Sequence, residues 1–407
     1  MRPDEFNHHS MSILIIHNRY LLSGGEDEVV KSEENMLRRF GHKVAVYMRS
    51  NSEIQNFSLL KRIKTFLIDI YWSRESYAAV RKLIREKRPD IVHVHNTFFL
   101  VSPSIYDACN DEKVPIVQTL HNYRLLCPIG IFYRDGKICK DCLIKGLKSS
   151  VINKCWKGSR LATLFLTIII KIIRLRIFFK KVKHYIVLGE FSRQMYTTNG
   201  VPSEKVSIKP NFLDFDPEIS NCQGGYGLFI GTLQEYKGIK TLIKAWHNVK
   251  DHFPLKIIGE GPLRKELEES AQGKNIEFLG QKPLCDVMDY IKRSLFVIVP
   301  SECYETGVRV IIEAFAAGIP LIASNHGAMQ ELIVEHETGL FFTPKDDKGL
   351  SEKVNYLIDH KDIAKKMGFN ARKEFEEKYT QEKNYQWLMN VYRLALKNAN
   401  TAQLLFG

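Results

Sequence analysis

Short apolar runs alternate with helical patterns along almost the whole chain, and no other feature limits its possible folds so strongly. The apolar runs of the first half predict strands at Ile13–His17, Lys43–Met48, Asp90–His95, Pro115–Leu120 and Tyr185–Leu188. Those of the second half predict strands at Leu228–Ile230, Leu255–Ile258, Ile276–Leu279, Phe296–Val299 and Leu321–Ala323. Helices are predicted between them at Glu26–Phe40, Ser76–Lys87, Glu190–Asn199, Ile239–Val249, Leu263–Ala271, Asp286–Lys292, Val308–Ala317 and Met329–Val334. Such alternation indicates an α/β chain with doubly wound parallel sheets.

The strand–helix pattern restarts after the loop Pro210-Asn211-Phe212, which indicates two domains. We predict one Rossmann-like domain over residues 11–205 and a second over 206–385. The helical end of the chain, residues 386–407, is predicted to cross back and pack on the first domain. Ligands of doubly wound sheets bind beyond the carboxyl ends of the strands, so a cleft between the two domains is expected to hold the site.

The positive charge is confined to the first half of the chain. The net charge is +13, and residues 1–210 carry 35 Lys and Arg against 19 Asp and Glu, whereas residues 211–407 carry 24 against 27. A basic domain attracts nucleic acid, anionic lipid or a phosphorylated substrate. The chain has no recognisable nucleic-acid module, so nucleic acid is not an expected partner.

The first ten residues are polar and lack the apolar core of a secretory signal. Eight cysteines in 407 residues do not form a disulfide scaffold. The expected location is therefore the cytoplasm.

The segment from Glu305 to Glu313 joins a predicted strand to a predicted helix. The backbone N–H groups of Gly307 and Val308 at the start of that helix suit a phosphate. A chain with 46 acidic residues contains many such glutamate pairs by chance. The order of strand, Glu, Gly and helix makes this pair a candidate site.

Nine segments together resemble the family 4 glycosyltransferases of the GT-B fold, and the resemblance covers nearly the whole chain from Met11. The segments, in family order, are ILIIHNRY, the loop Gly24-Gly25-Glu26, HVHN, TLHNYRLLCP, IKPN, GTLQEYKGI, GEGP, ETGVRVIIEAF and ELIVEHETGL. The resemblance implies two facing Rossmann-like domains, with the nucleotide sugar bound mainly by the second.

The resemblance also implies roles for four residues. Glu305 matches the glutamate that contacts the donor sugar, and Glu313 matches the one that holds the ribose hydroxyls. Lys237 matches the cation that neutralises the donor diphosphate. His121 matches a histidine that reaches the donor sugar, although a lone histidine is more often structural.

Other candidates lie on the first domain. The pair Gly24-Gly25 allows close approach to a phosphate or a sugar, although such a pair is often only a turn. His93 and His95 share one face of a strand, but no third metal ligand stands at a fitting spacing. We assign His95 to the acceptor side and His93 to packing.

One position departs from the family pattern. Thr232 stands where the family has an arginine, so the second cation on the diphosphate is missing or comes from elsewhere, with Arg309 as a candidate. The spacing of Asp214 and Asp216 fits a DxD motif, but they lie in the domain connection. We therefore expect catalysis without a metal or other cofactor, with cations and a helix dipole stabilising the leaving diphosphate. The family retains the anomeric configuration, which implies front-face attack here.

An insertion at 127–155 contains Cys127, Cys139, Cys142 and Cys155. The close pair with two flanking thiols suits a structural zinc ion, and a subgroup of the family resembles this insertion. The alternative is four reduced thiols.

Residues 161–182 combine apolar side chains with interspersed Lys and Arg, and the apolar run is too short to span a membrane. A helix lying in the membrane interface fits this pattern, and a core-packed helix with basic edges is the alternative. We predict a peripheral protein on the inner face of the cytoplasmic membrane.

The resulting hypothesis is a retaining transferase that moves a sugar from a UDP- or GDP-sugar to a lipid-diphosphate-linked saccharide in cell-surface polysaccharide or glycolipid assembly. A nucleotide-sugar epimerase on the same fold and a non-catalytic nucleotide-sugar-binding protein are the alternatives.

Overall fold

A computed structural model describes residues 10–21, 24–175, 180–220, 224–250 and 252–406 of the chain. Within these ranges the protein forms two six-stranded parallel sheets, each flanked by helices, and one short antiparallel hairpin. This architecture confirms the predicted pair of doubly wound domains.

The first sheet has the strand order β2-β1-β3-β4-β7-β8. Its strands, in chain order, are β1 Ser12–Arg19, β2 Lys43–Ser50, β3 Ile91–Val94, β4 Ile116–Thr119, β7 Val182–Val187 and β8 Val206–Ile208, and the hairpin between β4 and β7 consists of β5 Tyr133–Arg134 and β6 Lys137–Ile138. Strand β8 pairs in parallel with β7. The first sheet thus extends beyond the domain boundary that the sequence predicted at 205, because the last strand precedes the connecting loop.

The second sheet has the strand order β11-β10-β9-β12-β13-β14. Its strands are β9 Gly227–Ile230, β10 Leu255–Ile258, β11 Ile276–Gly280, β12 Phe296–Val299, β13 Leu321–Ser324 and β14 Gly339–Phe342. The sequence analysis missed β8 and β14. Both are edge strands of three or four residues.

Sixteen α-helices surround the sheets in the described part of the chain. They are α1 Gly25–Arg39, α2 Leu59–Lys64, α3 Arg74–Lys87, α4 Ser104–Asp111, α5 Asp141–Ile144, α6 Lys148–Ile152, α7 Arg160–Ile173, α8 Glu190–Thr197, α9 Ile239–Ala245, α10 Arg264–Ser270, α11 Leu284–Lys292, α12 Arg309–Ala316, α13 Met329–Leu332, α14 Asp347–Asp359, α15 Lys361–Lys378 and α16 Gln381–Phe406.

Helix α16 begins five residues before the predicted range and crosses back to the first domain, as predicted. Its buried side chains share one core with Ile13, Val30 and Val117, and they are Tyr385, Leu388, Met389, Val391, Tyr392 and Ala395. The two domains are therefore linked both by the chain connection near 210 and by this helix.

Helix α7 forms most of the predicted interfacial segment 161–182, of which residues 176–179 lie outside the described residues. One side of the helix, including Leu166 and Ile170, is buried, whereas Leu161 and Leu164 are exposed. The helices of the described ranges include none that is both long enough and apolar enough to cross a membrane.

Candidate functional site

The loop after β12 carries Glu305 to the cleft between the domains. Its carboxylate oxygen Oε1 accepts hydrogen bonds from Lys237 Nζ at 2.6 Å and from Ser301 Oγ at 2.8 Å. Lys237 reaches this position through Gly238, whose φ of +69° places it in the left-handed region, and a Cβ at Gly238 would overlap the carbonyl oxygen of Pro300. The Lys-Gly sequence thus lets the loop after β9 pack closely against the loop after β12.

The two partners hold each other in the charged state. Burial alone would raise the pKa of Glu305, but the ammonium of Lys237 outweighs it and lowers that pKa below the ordinary glutamate value. Burial acts in the opposite sense on Lys237, and Glu305 more than compensates, so the pKa of Lys237 is raised. The site therefore presents a fixed cation beside a fixed carboxylate.

Glu313 lies one turn into α12, eight residues after Glu305. Its Oε1 accepts a hydrogen bond from Arg309 Nε at 2.9 Å, and the two side chains are less than a tenth exposed. Burial raises the pKa of Glu313, and Arg309 opposes that rise. Both terminal nitrogens of Arg309 are buried with no hydrogen-bond partner among the described residues. The two terminal NH2 groups of the guanidinium thus stay available to an anion.

The start of α12 differs slightly from the prediction. Val308 has extended backbone angles and caps the helix, which begins at Arg309. The free N–H groups of the first turn therefore belong to residues from Val308 onward.

The glycine loop of the first domain faces this helix. Gly24 caps α1, and a Cβ added to Gly25 would lie 3.8 Å from Arg309 Cβ. The cleft is thus bounded by Gly24 and Gly25 on one side and by the start of α12 on the other.

Hydrogen bonds between the domains hold the Glu305 loop against the segment after β4. Thr306 Oγ1 donates to the carbonyl oxygen of His121 at 2.6 Å, and the Tyr123 hydroxyl donates to the carbonyl oxygen of Glu305 at 3.3 Å. Asn211 Nδ2 donates to the carbonyl oxygen of Gly307 at 3.2 Å. The predicted donor motif and the HNY segment are therefore one connected structure.

His95 and His121 are direct neighbours at the carboxyl ends of β3 and β4. Their atoms Nδ1 and Nε2 lie 2.9 Å apart, and their rings stack. Burial, followed by the positive charge of nearby groups, lowers the pKa of both imidazoles well below the ordinary value. Both rings are therefore neutral at physiological pH, and His121 is partly exposed. The two histidines also line a cavity whose far wall is the buried side of α7.

The sequence analysis overlooked a third possible metal ligand beside His93 and His95. Glu33 of α1 brings a carboxylate oxygen within 4.8 Å of both imidazoles, and no other such group occurs in the part of the chain that the structure describes. Lys209 Nζ lies 3.4 Å from the same carboxylate. The two ring nitrogens of His93 already contact the hydroxyls of Tyr392 and Thr119.

These contacts indicate a buried charged cluster in which Lys209 is the counter-ion of Glu33. They also give His93 the packing role that the sequence suggested. Charged side chains usually lie at the surface, so only the three-dimensional neighbourhood could identify Glu33 and Lys209 as core residues.

The structure also places Thr232 and the DxD-like segment of Asp214 and Asp216. Thr232 follows β9 in the same loop as Lys237. Asp214 accepts hydrogen bonds from Ser32 and Asn35 of α1, and Asp216 pairs with Arg372. The aspartates of the DxD-like segment therefore join elements of the fold and do not line the cleft.

The four cysteines of the insertion are free thiols. The thiol of Cys127 hydrogen-bonds that of Cys142, whose pKa is raised by this contact, by burial and by Cys155 and Cys139. The four sulfur atoms therefore lie in one neighbourhood, although they do not meet the spacing of a metal-ligand group in this geometry.

The insertion also touches the second domain. Tyr133 donates a hydrogen bond to Glu302 Oε2 at 3.1 Å. The hairpin of β5 and β6 is thus fastened beside the loop that carries Glu305.

Two family models match this chain in tandem. The model described as "Glycosyltransferase Family 4" matches residues 23–217, and the model described as "Glycosyl transferases group 1" matches residues 218–374. The junction between the two matches lies in the connection between β8, the last strand of the first sheet, and β9, the first strand of the second.

Curated relatives share moderate identity. An uncharacterised glycosyltransferase of Methanocaldococcus jannaschii is 34% identical over 181 residues, which cover 43% of this chain and 50% of the relative. The chain thus spans about half the length of that relative. The capsular polysaccharide biosynthesis glycosyltransferase CapM of Staphylococcus aureus is 23% identical over 387 residues, which cover 91% of this chain and 90% of CapM.

Solved structures share the fold over nearly the whole length of the chain. The Anabaena protein HepE in complex with UDP and glucose superimposes with a TM-score of 0.66 at 17% identity, covering 93% of this chain and 98% of HepE. At this identity, the likeness establishes the two-domain architecture and the cleft between the domains.

Proposed function

We propose that this chain, which matches the two glycosyltransferase models in tandem, is a retaining GT-B enzyme that takes a sugar from a nucleotide diphosphate sugar. The observation that carries this proposal is the pairing of Lys237 with Glu305 at the start of α12, opposite the glycine loop. HepE is described in complexes with UDP and with UDP-glucose, which favours a nucleotide-sugar donor here.

In this proposal the donor diphosphate lies between Gly24-Gly25 and the first turn of α12. Lys237, the free terminal nitrogens of Arg309 and the helix N–H groups stabilise the charge that develops on the leaving phosphate. Arg309 then takes the role of the arginine that the family has at the position of Thr232. No metal is needed for that stabilisation.

Glu305 and Glu313 fix the donor at its two ends. Glu305 contacts the transferred sugar, and Glu313 accepts hydrogen bonds from the ribose hydroxyls. His121, as a neutral imidazole, contacts the transferred sugar from the first domain. The acceptor hydroxyl attacks on the face from which the diphosphate departs, and the leaving phosphate takes its proton.

We propose that the acceptor is a lipid-linked saccharide and that the first domain docks on an anionic membrane surface. Support comes from an apolar–basic face, which we define by the exposed side chains Leu59, Leu60, Ile63, Leu67, Ile68, Leu161, Leu164 and Ile168 with their neighbouring Lys and Arg residues. Leu60 is 81% exposed and Leu161 is 79% exposed.

The two parts of this face adjoin each other. Lys157 Nζ lies 5.2 Å from the ring centroid of Phe66, and both residues line one groove with Trp156. Large apolar side chains beside lysines and arginines suit a headgroup–acyl boundary better than bulk water. Segment 59–68 was not foreseen from the sequence, because it is too short to give a clear helical period.

We also propose that the insertion binds one structural zinc ion through Cys127, Cys139, Cys142 and Cys155. Thiolates at Zn–S distances of about 2.3 Å would draw the four sulfur atoms inward from their present neighbourhood. Metal analysis of the purified protein should find one zinc per chain, and Cys139→Ser with Cys142→Ser should lose it. A metal-free protein of full thermal stability would refute the site.

The donor is best tested with a panel of UDP- and GDP-sugars, screened first for binding and then for transfer to lipid-diphosphate saccharides. We expect one donor to be selected and its sugar to be transferred with retention. Conversion of the donor sugar without an acceptor would instead identify an epimerase, and binding without turnover would identify a non-catalytic protein.

A further inference from the structure

His17 and Glu26 form a pair in the cleft to which neither the sequence motifs nor the proposed chemistry gives a role. His17 lies on β1 and is fully buried, and Glu26 lies in the first turn of α1 directly after the glycine loop. The closest approach of the two side chains, from His17 Nδ1 to Glu26 Oε1, is 3.9 Å. Both atoms are buried and have no hydrogen-bond partner in the described part of the chain.

The hydrogen-bonding capacity of His17 follows from its other neighbour. His17 Nε2 lies 2.7 Å from Asp27 Oδ1. A carboxylate can only accept, so Nε2 carries the ring proton and Nδ1 is left as an acceptor. His17 therefore presents an acceptor toward Glu26.

The charge state of Glu26 completes the pair. Burial raises the pKa of Glu26 to about 8, with a further rise from Asp27 and an opposing effect of Arg124. At neutral pH the carboxyl group holds its proton and can donate a hydrogen bond. An acid in the first turn of a helix ordinarily interacts with the helix dipole as a carboxylate, which would lower its pKa. The raised pKa argues against that ordinary role.

We propose that Glu26 and His17 form a subsite for one sugar hydroxyl, which accepts a hydrogen bond from Glu26 and donates one to His17 Nδ1. An oxygen about 2.8 Å from each atom satisfies ordinary hydrogen-bond geometry when the two atoms are 3.9 Å apart. Buried polar atoms nearly always have partners, so two facing atoms without one indicate a ligand group. This subsite rests on the proposed function, because it requires a sugar in the cleft.

The position of the pair agrees with such a ligand. Gly25, the neighbour of Glu26, lies against Arg309, which we assign to the diphosphate. The His17 ring is 6.3 Å from the ring of His95, which in turn contacts His121. The subsite thus lies between the proposed phosphate site and the two histidines, where the transferred sugar and the acceptor sugar meet.

Substitutions at Glu26 test the subsite. Glu26→Gln keeps a donor group of the same shape, so we expect kcat/KM for transfer to stay within about threefold of the wild type. Glu26→Ala removes the donor, and we expect kcat/KM to fall by about ten- to hundredfold. Glu34→Gln and Glu34→Ala on the same helix are the matched controls and should match the wild type.

The pH profile gives a readout that loss of structure would not produce. The groups that face Glu26 are His17 and Tyr20 from β1 and its end, Asp27 from α1 and Arg124 from the segment after β4. We expect wild-type activity to decline above about pH 8, as Glu26 loses its proton, and Glu26→Gln to lack this decline. The same decline in Glu26→Gln, or a Glu26→Ala enzyme as active as the wild type, would overturn the subsite.

Binding measurements distinguish the two possible sources of the hydroxyl. The probes are UDP and GDP, each compared with UDP-glucose, UDP-galactose and GDP-mannose. If the hydroxyl belongs to the transferred sugar, Glu26→Ala weakens binding of a nucleotide sugar but not of its bare nucleotide. If it belongs to the acceptor, only KM for the acceptor rises. A wild-type protein that binds no nucleotide would contradict the proposed transferase function itself, whatever the Glu26 variants do.

Discussion

At the scale of single residues, Lys237 is the side chain that the proposed chemistry depends on most. Lys237→Met removes the cation that compensates the carboxylate of Glu305 and that, in the proposed mechanism, faces the leaving diphosphate. Loss of one preorganised stabilising group typically slows an enzyme by about 10²–10³-fold, and we expect a decrease of this size in kcat. Steady-state kinetics measures it, with Lys240→Met as the control because Lys240 pairs with Glu266 at the surface. Undiminished turnover in Lys237→Met would contradict the assignment of Lys237 to the leaving diphosphate.

The same variant has a defined effect on stability. The folded-state pKa of Glu305 is lowered by Lys237, so this pair stabilises the fold above the ordinary glutamate range and loses its effect as pH falls through the lowered pKa. The difference in free energy of unfolding between wild type and Lys237→Met should thus be largest near neutral pH and shrink in acid. Denaturant unfolding at several pH values measures it.

Glu313 should act on binding and not on the chemical step. Glu313→Ala removes the proposed acceptor for the ribose hydroxyls. Hydrogen bonds to charged groups are worth about 1.5–3 kcal/mol, so we expect Kd for the nucleotide to rise about ten- to hundredfold. Isothermal titration calorimetry with the donor nucleotide measures this change. Glu374→Ala, at an exposed pair with Lys378 on α15, is the control. Unaltered nucleotide affinity in Glu313→Ala would contradict the assignment of Glu313 to the ribose hydroxyls.

At the scale of secondary-structure elements, the sequence identified most strands because each is a short, mainly apolar run. Phe296–Val299 and Leu255–Ile258 were predicted with the bounds that the structure gives. Segment 59–68 was missed because it is too short to give a clear helical period. Its apolar residues also face outward, so the expectation that apolar side chains are buried fails there. Glu33 and Lys209 were missed for the converse reason, since each charge is buried against the other.

Substitutions on α2 and α7 test whether the apolar–basic face binds a membrane. Leu60→Glu on α2 and Leu164→Glu on α7 each replace an exposed apolar side chain, so the free energy of unfolding should change little. If these side chains enter a lipid surface, burial of one leucine is worth about 1.5–3 kcal/mol, and each variant should bind anionic vesicles at least about tenfold more weakly. Co-sedimentation with phosphatidylglycerol vesicles measures binding.

Ile219→Glu is the matched control for this experiment, because Ile219 is 58% exposed and lies outside the face. Vesicles of phosphatidylcholine alone should bind the wild type weakly, since they lack the negative charge that the neighbouring lysines and arginines attract. Equal vesicle binding by wild type, Leu60→Glu and Leu164→Glu would count against the membrane proposal and leave the donor site untouched.

At the scale of the whole molecule, the site exists only where the two domains meet. The second domain carries Lys237, Glu305 and Glu313, whereas the first carries the glycine loop and His121. The sequence predicted both halves from local motifs. It could not predict how closely the two halves approach in space. That approach depends on hydrogen bonds of Thr306, Tyr123 and Asn211, which join residues about 100 to 185 positions apart.

A substitution at Gly307 tests whether activity requires the close contact between the two domains. A Cβ at Gly307 would lie 2.7 Å from Leu188 Cδ1 and 3.1 Å from Asn211 Nδ2, both in elements of the first domain or its connection. Gly307→Ala should therefore push the Glu305 loop away from the first domain, because atoms cannot approach so closely. Since most of the proposed nucleotide contacts lie on the second domain, we expect nucleotide affinity to change by less than about threefold while kcat falls by about tenfold or more.

Gly225→Ala is the matched control, because a Cβ there has no neighbour within 4 Å. Small-angle scattering should report a larger radius of gyration for Gly307→Ala than for Gly225→Ala, and the two variants should unfold with similar cooperativity. A Gly307→Ala protein with wild-type kcat would show that turnover does not require the close contact seen between the Glu305 loop and Leu188. In that case catalysis must tolerate a wider cleft, and His121 would have to contact the donor sugar across a longer distance.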